Sequence, residues 1–275
     1  ITTTQAQTWN PLTITPPRNL YGCWFDSDNP DFGMSVGWAY QAGDQIPFAF
    51  TTTDGGANNT YSSLFQVYFY GSEDVWFINS YTGVVVGNGI IQTTNGGNSW
   101  NLIEDAATTQ AGRLHSVMFP NSTKGYAVGE RYDFNYTSME GMIYKTNNAG
   151  GSWTNSTVSQ EINNENTLLH TVFSTGAGVV YAGAENTMGA GTSTLFKSTN
   201  DGVTWSPMSF GQSIWSLYFV SANTGFAATT NGLYKTTNAG ANWTNILPTT
   251  AALHTVQIKN GFGFAAGVNG LIYVT

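Results

Sequence analysis

The sequence contains few charged residues. Asp, Glu, Lys and Arg make up 9% of its 275 residues, whereas about 25% is usual in a soluble domain. Eight basic residues against sixteen acidic ones give a net charge of −8. This balance provides no basic surface for phosphate groups, so we expect no nucleic-acid partner. Hydroxyl and amide side chains replace the missing charges, which is common outside the cell and predicts an extracellular, cell-surface or periplasmic location.

Cysteine and long apolar segments are equally scarce. Cys23 is the single cysteine, which excludes an intramolecular disulfide and a thiolate metal cluster. It lies in an apolar run that predicts a β-strand with a buried thiol. No apolar run approaches the roughly 18 residues of a membrane-spanning helix, so we expect no membrane insertion.

An eight-residue pattern, Ser/Thr-x-Asn-x-Gly-x-x-Trp, recurs along the chain. Residues 93–100, 146–153, 198–205 and 236–243 are complete copies. In residues 52–59 an Asn replaces the Trp, and residues 2–9 keep only the hydroxyl and the Trp. Because 41% of all residues are hydrophobic and 14% are aromatic, the chain can also bury a large core.

The chemistry of the pattern is that of a hairpin turn, and we call each copy a repeat turn. Its hydroxyl and Asn or Asp side chains can accept hydrogen bonds from backbone N–H groups. Glycine supplies a positive φ, and the Trp covers the turn and buries apolar area. We therefore expect a structural role for its characteristic residues, which are Trp9, Asp54, Asn95, Trp100, Asn148, Trp153, Asn200, Trp205, Asn238 and Trp243.

The repeat turn resembles the Asp-box, or BNR, repeat of sialidases, of other glycoside hydrolases and of the photosystem II assembly-factor family. In those families the repeat lies in the turn between the third and fourth strands of a propeller blade. The resemblance implies the same position for the repeat turns of this chain. The many copies make the resemblance specific, and it extends over the whole chain.

The spacing of the repeat turns predicts the architecture. Each follows three short β-rich runs separated by Gly, Asn and Ser, which indicates four antiparallel strands per unit. Residues 253–275 stop where a repeat turn should begin, and residues 1–12 contain the missing one. We therefore predict an all-β, six-bladed β-propeller that forms a single domain, 1–275, and is closed by the N-terminal strand. The predicted blades are residues 19–60, 61–101, 114–154, 168–206, 214–244, and 253–275 with 1–12.

Two faces follow from this architecture. The innermost strands begin at one face, here called the upper face, and end at the lower face, where the repeat turns lie. Longer connections, at residues 39–47, 130–141 and 184–193, are expected on the upper face, and all three arginines of the chain, Arg18, Arg113 and Arg131, belong to it. Variable loops on a rigid scaffold are typical of binding faces.

Alignment of the predicted innermost strands places six ring-bearing residues at one equivalent position. They are Tyr21, Phe65, His115, His170, Trp215 and His254. One hypothesis is a ligand-binding collar at the upper mouth of the channel, able to stack on sugars or planar groups. A lectin would also need exposed rings such as Trp38, Tyr40 or Trp215 beside polar groups. The alternative is packing between blades. We expect no metal ion or cofactor, because no sequence motif places a carboxylate beside the histidines.

On the lower face, residues 26–31 read Asp-Ser-Asp-Asn-Pro-Asp. Alternating carboxylates of this kind can bind Ca²⁺, but the segment lacks the length and the glycine of a standard calcium loop. We therefore expect a turn.

Two hypotheses about function remain. The first is a non-catalytic extracellular interaction module that binds protein or glycan through the upper face and can be one domain of a larger secreted protein. The resemblance to the assembly factors would imply a basic binding patch, which this acidic sequence lacks. The second is a glycoside hydrolase of the sialidase type, which uses three arginines and a set of carboxylates. Here the family's Arg-Ile-Pro signature is reduced to Arg18-Asn19-Leu20, and two of the three arginines belong to one blade.

Overall fold

The computed structural model describes residues 19–26, 28–41, 44–64, 69, 71–104, 112–132, 139–156, 167–186, 194–208, 210–259 and 261–275. Regular structure in these ranges is β-strand apart from one 3₁₀ turn, Val268–Gly270. The strands form six antiparallel sheets, which confirms the predicted six-bladed all-β propeller. No helix in these ranges is long and apolar enough to cross a membrane.

Each blade is built from consecutive strands, numbered from the channel outwards. The first three blades comprise β1 (Asn19–Phe25), β2 (Gly33–Gln41), β3 (Asp44–Thr52) and β4 (Thr60–Ser63); β5 (Ser72–Phe77), β6 (Gly83–Gly87), β7 (Ile90–Thr93) and β8 (Asn101–Glu104); and β9 (Gly112–Met118), β10 (Gly125–Tyr132), β11 (Met139–Thr146) and β12 (Thr154–Ser156).

The last three blades follow the same order. They comprise β13 (Thr167–Gly176), β14 (Val179–Asn186), β15 (Leu195–Ser198) and β16 (Ser206–Met208); β17 (Ile214–Phe219), β18 (Gly225–Thr229), β19 (Gly232–Thr236) and β20 (Thr244–Pro248); and β21 (Leu253–Lys259), β22 (Phe262–Gly267) and β23 (Ile272–Val274). The outermost strands of the first five blades extend a few residues beyond the predicted blade boundaries.

The hydrophobic core is divided among the junctions between consecutive blades. Successive residues of a strand point to opposite faces of a sheet, so each central strand contributes to two junctions. In β6, Val85 packs with first-blade residues such as Met34, whereas Val84 and Val86 pack with third-blade residues such as Leu114. This is why β6 is buried along its whole length.

The repeat turns have the hydrogen bonds that their sequence predicts. In the second blade, Thr93 Oγ1 accepts a bond of 2.9 Å from Gly97 N, and Asn95 Oδ1 accepts one of 2.9 Å from Ser99 N. Gly97 has a φ of 88°, which glycine adopts without strain. The indole nitrogen of Trp100 donates to Gly97 O at 3.2 Å. The same set of bonds recurs around Asn148, Asn200 and Asn238, and around Asp54 without the Trp.

Each Trp of a repeat turn fills the junction with the preceding blade. Trp100, Trp153, Trp205 and Trp243 occupy the first four junctions in this way. Between the fifth and sixth blades the described residues leave a groove of about 460 Å³, lined by apolar side chains of both blades. The groove therefore lies where a Trp from the last blade's repeat turn belongs.

Residues 1–18, including Trp9 and the predicted closing strand, lie outside the described residues, so ring closure stays a prediction. We expect the Trp9→Ala variant to lose about 2 kcal/mol of unfolding free energy, the value for burying one large apolar side chain. Thermal unfolding followed by calorimetry measures this loss, and Gln7→Ala is the matched control. An unchanged melting temperature in Trp9→Ala would assign the groove to another occupant.

Cys23 corrects one expectation. It lies in β1, as predicted, but its side chain is exposed rather than buried. The alternation of β1 turns Gly22 and Trp24 towards the second blade, where they contact Asp74 and Phe77. Cys23 and Phe25 therefore point to the opposite side of the sheet, and Phe25 is also exposed.

Candidate functional site

All six innermost strands have a β-bulge at the same point near their upper ends. The pairing with the second strand of each blade skips one residue there, so its backbone is left out of the ladder. A bulge redirects the side chain that it carries. The six bulged residues, which we call the collar, are Tyr21, Glu73, His115, His170, Trp215 and His254.

Glycine lies beside the bulge on the second strand of four blades, whereas Ala184 and Thr229 hold this position in the fourth and fifth blades. In the third blade, Gly129 pairs with Leu114 directly beside the bulged His115. A Cβ atom on Gly129 would lie 1.9 Å from the carbonyl oxygen of Arg113. Only a residue without a side chain permits so close an approach of two backbones.

The structure corrects the prediction of which second-blade residue belongs to the collar. We predicted Phe65 at this position, and that assignment is wrong because the innermost strand of the second blade is β5. Glu73 occupies the equivalent position there, and Phe65 itself lies outside the described residues. The reason is the length of the connection, since β4 still belongs to the first blade and β5 begins at Ser72. The other five predicted residues do share the position.

Four collar residues form a continuous arc of rings. The ring centroids of His115 and His170 are 5.0 Å apart, those of His170 and Trp215 are 4.5 Å apart, and those of Trp215 and His254 are 4.9 Å apart. Three of the rings are half-buried, and His254 is exposed. The arc thus joins neighbouring blades and also presents ring surface to the channel.

Carboxylates that the sequence did not place beside the histidines complete the collar. Glu73 forms an ion pair with Arg113 and accepts a hydrogen bond of 3.0 Å from Trp38 Nε1. Nε2 of His115 lies 2.6 Å from an oxygen of Glu130, and Nδ1 lies 3.8 Å from an oxygen of Glu73. His115 is therefore enclosed by two carboxylates.

A third carboxylate, that of Glu185, contacts the neighbouring collar histidine, His170. Nε2 of His170 lies 3.1 Å from an oxygen of Glu185. Acidic residues on the upper face were evident from the sequence, but their pairing with particular collar residues was not. Within the described ranges, no group of three or more His, Cys, Asp or Glu side chains is arranged to hold a metal ion.

Burial and the contacts between these side chains shift the pKa values of His115, Glu73 and His170. Burial disfavours the charged imidazolium of His115, but the hydrogen bonds and charges of Glu130 and Glu73 outweigh it and raise its pKa to about 9. Burial opposes ionisation of Glu73, yet His115 and Arg113 lower the pKa of this carboxyl. Burial, and then the neighbouring His115, lower the pKa of His170. At neutral pH His115 is therefore an imidazolium, and its neighbour His170 is a neutral imidazole.

An aromatic platform adjoins the charged part of the collar. The rings of Tyr21 and Trp38 stack with centroids 5.4 Å apart and planes 12° apart. The guanidinium carbon of Arg113 lies 5.4 Å from the centre of the Trp38 ring, within cation–π range. Tyr40 meets Trp38 edge-on and is 70% exposed.

The structure describes some of the other residues that were predicted to lie on the upper face. Arg131 lies in β10 and pairs with Glu140 of β11 at 2.8 Å. Arg18 lies outside the described residues. Strand ends form much of the three connections predicted to be long. β2 and β3 pair as far as Gln41 and Asp44, so the first connection is shorter than predicted. β10 and β11 reach Tyr132 and Met139, β14 reaches Asn186, and the residues beyond these ends lie outside the described ranges.

No family model and no curated protein matches the sequence. Among solved structures, YCF48 bound to D1 peptide is similar with a TM-score of 0.64 and 15% identity over 98% of this chain and 99% of that one. The GH74 xyloglucanase from Xanthomonas campestris has a TM-score of 0.64 and 17% identity, over 96% of this chain and 38% of that one.

The extracellular domain of BT4673 from B. thetaiotaomicron, described as a one-component system, has a TM-score of 0.62 and 12% identity, over 98% of this chain and 34% of that one. The chain thus spans little more than a third of the xyloglucanase and of the BT4673 chain. At these identities the likeness shows a shared fold, the β-propeller.

Proposed function

We propose that this protein is a non-catalytic interaction module that binds an extended protein segment or a glycan at the upper mouth of its channel. The observation that carries the proposal is the platform of Trp38, with Tyr21 stacked on it and Arg113 beside it. Such a surface offers ring faces and hydrogen-bonding groups in one place, which suits both peptide backbones and sugars.

The state of the carboxylates supports binding rather than hydrolysis. A glycosidase of the usual kind needs a protonated carboxyl group beside a second, ionised one. Beside the collar, Glu73 is paired with Arg113, while Glu130 and Glu185 are paired with histidines. These contacts occupy all three carboxylates, and the pKa of Glu73 is lowered by His115 and Arg113 against the effect of burial.

The arginines support the same choice. A sialidase-type site needs arginine side chains that are free to grip a substrate carboxylate. Arg113 is bound to Glu73, and Arg131 is bound to Glu140. Both also belong to the third blade, whereas the resemblance implies arginines spread around the ring.

The structural neighbours add two kinds of support. One of them, YCF48, has D1 peptide bound, and another is the extracellular domain of BT4673. We propose accordingly that the repeat turns are Asp-box repeats and that the module works outside the cytoplasm. A glycan ligand is the alternative occupant of the same platform.

The test combines a random-peptide display library, a glycan array and a fluorogenic glycoside panel on one sample. We expect binding without turnover, and a loss of about tenfold or more in affinity for Trp38→Ala, as for a central interface aromatic. Tyr40→Ala, at an exposed position, is a second variant that leaves the core intact.

Tyr81→Ala is the matched control, because Tyr81 is 69% exposed and lies on the lower face. Its affinity should equal that of the unaltered protein. Glycoside turnover that disappears in Arg113→Ala would overturn the proposal in favour of a hydrolase.

A further inference from the structure

We propose a second binding site, for a neutral saccharide, at the lower mouth of the channel. A cavity of about 540 Å³ opens there, at the opposite end of the channel from the collar. It lies where β1, β5 and β9 end, and the turns that follow these strands form its rim. No feature of the proposed upper-face function depends on this cavity.

Aromatic rings form the wall of the cavity. Trp24 and Trp76 line it and are half-buried, so part of each indole faces the space. Trp24 is held in place by the ring of Phe77, whose centroid is 5.2 Å away. Phe25 borders the cavity as the last residue of β1, but its side chain points to the opposite side of the sheet. Fixed, partly exposed rings are surfaces on which the C–H faces of a sugar can pack.

Two asparagines give the rim hydrogen-bond donors. Asn79 Oδ1 accepts bonds of 2.9 Å from the backbone nitrogens of Tyr81 and Thr82. Asn121 Oδ1 accepts bonds from Thr123 and Lys124 in the equivalent turn of the third blade. Because the oxygens are fixed by these bonds, each amide Nδ2 has a set direction and no partner within the described part of the chain.

Carboxylates give the rim its acceptors. Asp26 accepts bonds from Asp28 N at 2.9 Å and from Ser80 Oγ at 2.8 Å. These bonds lower the pKa of Asp26, so it stays ionised, and they confirm the turn expected for this segment. Each carboxylate oxygen can accept a further bond. Asp28 is exposed beside it.

The combination selects the ligand class. Amide donors next to carboxylate acceptors match hydroxyl groups, because a hydroxyl both donates and accepts. The two carboxylates, with no Lys or Arg among the residues that line the cavity, disfavour an anion. The two amide N–H groups carry partial positive charge and would repel a cation. An uncharged sugar therefore fits better than an ammonium group.

The test titrates the protein with neutral mono- and disaccharides and with choline, and follows tryptophan fluorescence. We expect a saccharide to change the fluorescence, and Asn79→Asp, which removes the amide donor, and Asp28→Ala each to weaken binding about tenfold. Both residues are exposed, so circular dichroism should show folded variants. Trp38→Ala, in the upper-face site, is the control and should leave this affinity unchanged.

Three outcomes would overturn the proposal. One is the absence of binding by any neutral saccharide. Another is saccharide binding that survives both lower-face substitutions or is lost in Trp38→Ala, which would assign it to the upper-face site. The third is binding of choline but not of a saccharide, which would make the cavity a cation site.

Discussion

Gly129→Ala is expected to lower the free energy of unfolding by about 3 kcal/mol, the upper end of the usual cost of overpacking. The added Cβ would lie 1.9 Å from Arg113 O and 2.7 Å from Leu114 Cα. Both atoms are backbone atoms of β9, so a rotamer change cannot relieve the clash. Relief requires β9 and β10 to separate at the bulge, which also moves Arg113 and His115.

Urea denaturation measures this loss, and Gly151→Ala is the matched control. Gly151 has no positive φ, and a Cβ there would meet no atom nearer than 3.4 Å. We expect Gly151→Ala to be nearly neutral, and Gly129→Ala to lose ligand binding at the upper face as well as stability. A cost below about 1 kcal/mol for Gly129→Ala would show that the third blade accommodates a side chain beside its bulge, as the fourth and fifth blades do at Ala184 and Thr229.

The repeat explains why the fold was predictable. The turns around Asn95 and its counterparts are held by bonds between residues four positions apart or fewer. Such local chemistry is visible in the sequence as a spacing. The regular recurrence of this spacing then fixes the number of blades, because each unit must bury its faces against the next.

The collar was predictable only in part. Five of its residues follow from aligning equivalent strands, but the sixth, Glu73, was missed because the connection after β4 shifts the second blade out of step. The ion pairs could not be predicted at all. Arg113 and Glu73 are 40 positions apart, and no sequence spacing shows that a bulge brings them together.

The largest electrostatic effect is expected for Glu73→Ala, with a loss of about 3 kcal/mol at neutral pH. Removing one partner from a buried ion pair leaves the other charge uncompensated. The Glu73 side chain is 10% exposed. Without it, the guanidinium of Arg113 and the imidazolium of His115 remain in one low-dielectric region. Trp38 Nε1 also loses its acceptor.

Glu73→Gln is the informative companion variant. It keeps an acceptor for the Trp38 indole but removes the charge, so the difference between the two variants isolates the hydrogen bond. We expect Glu73→Gln to be the less destabilised of the two. Equal losses would mean that charge alone accounts for the role of Glu73.

The destabilisation should also depend on pH. The pKa of His115 is raised from 6.5 to about 9, so its contribution is complete below pH 6.5 and disappears as the pH rises through about 9. The pKa of Glu73 is lowered from 4.5, so its contribution is complete above pH 4.5 and is lost as the pH falls. The difference in stability between the unaltered protein and Glu73→Ala should therefore be largest between pH 4.5 and 6.5.

Below pH 4.5 and above pH 6.5 the difference in stability between the two proteins should become smaller, and by different amounts at the two ends. At acid pH Glu73 is protonated in the unaltered protein too, and the pair with Arg113 is lost in both proteins. At alkaline pH His115 is neutral, but Arg113 remains charged, so part of the difference persists. Asp74, whose pKa is raised from 3.8 to about 7 chiefly by burial and in part by Glu73, lowers the stability of the unaltered protein as the pH rises from 3.8 to about 7. Thermal melts of the two proteins across this range, compared at each pH, measure the effect, and a difference independent of pH would show that Glu73 acts by packing rather than by charge.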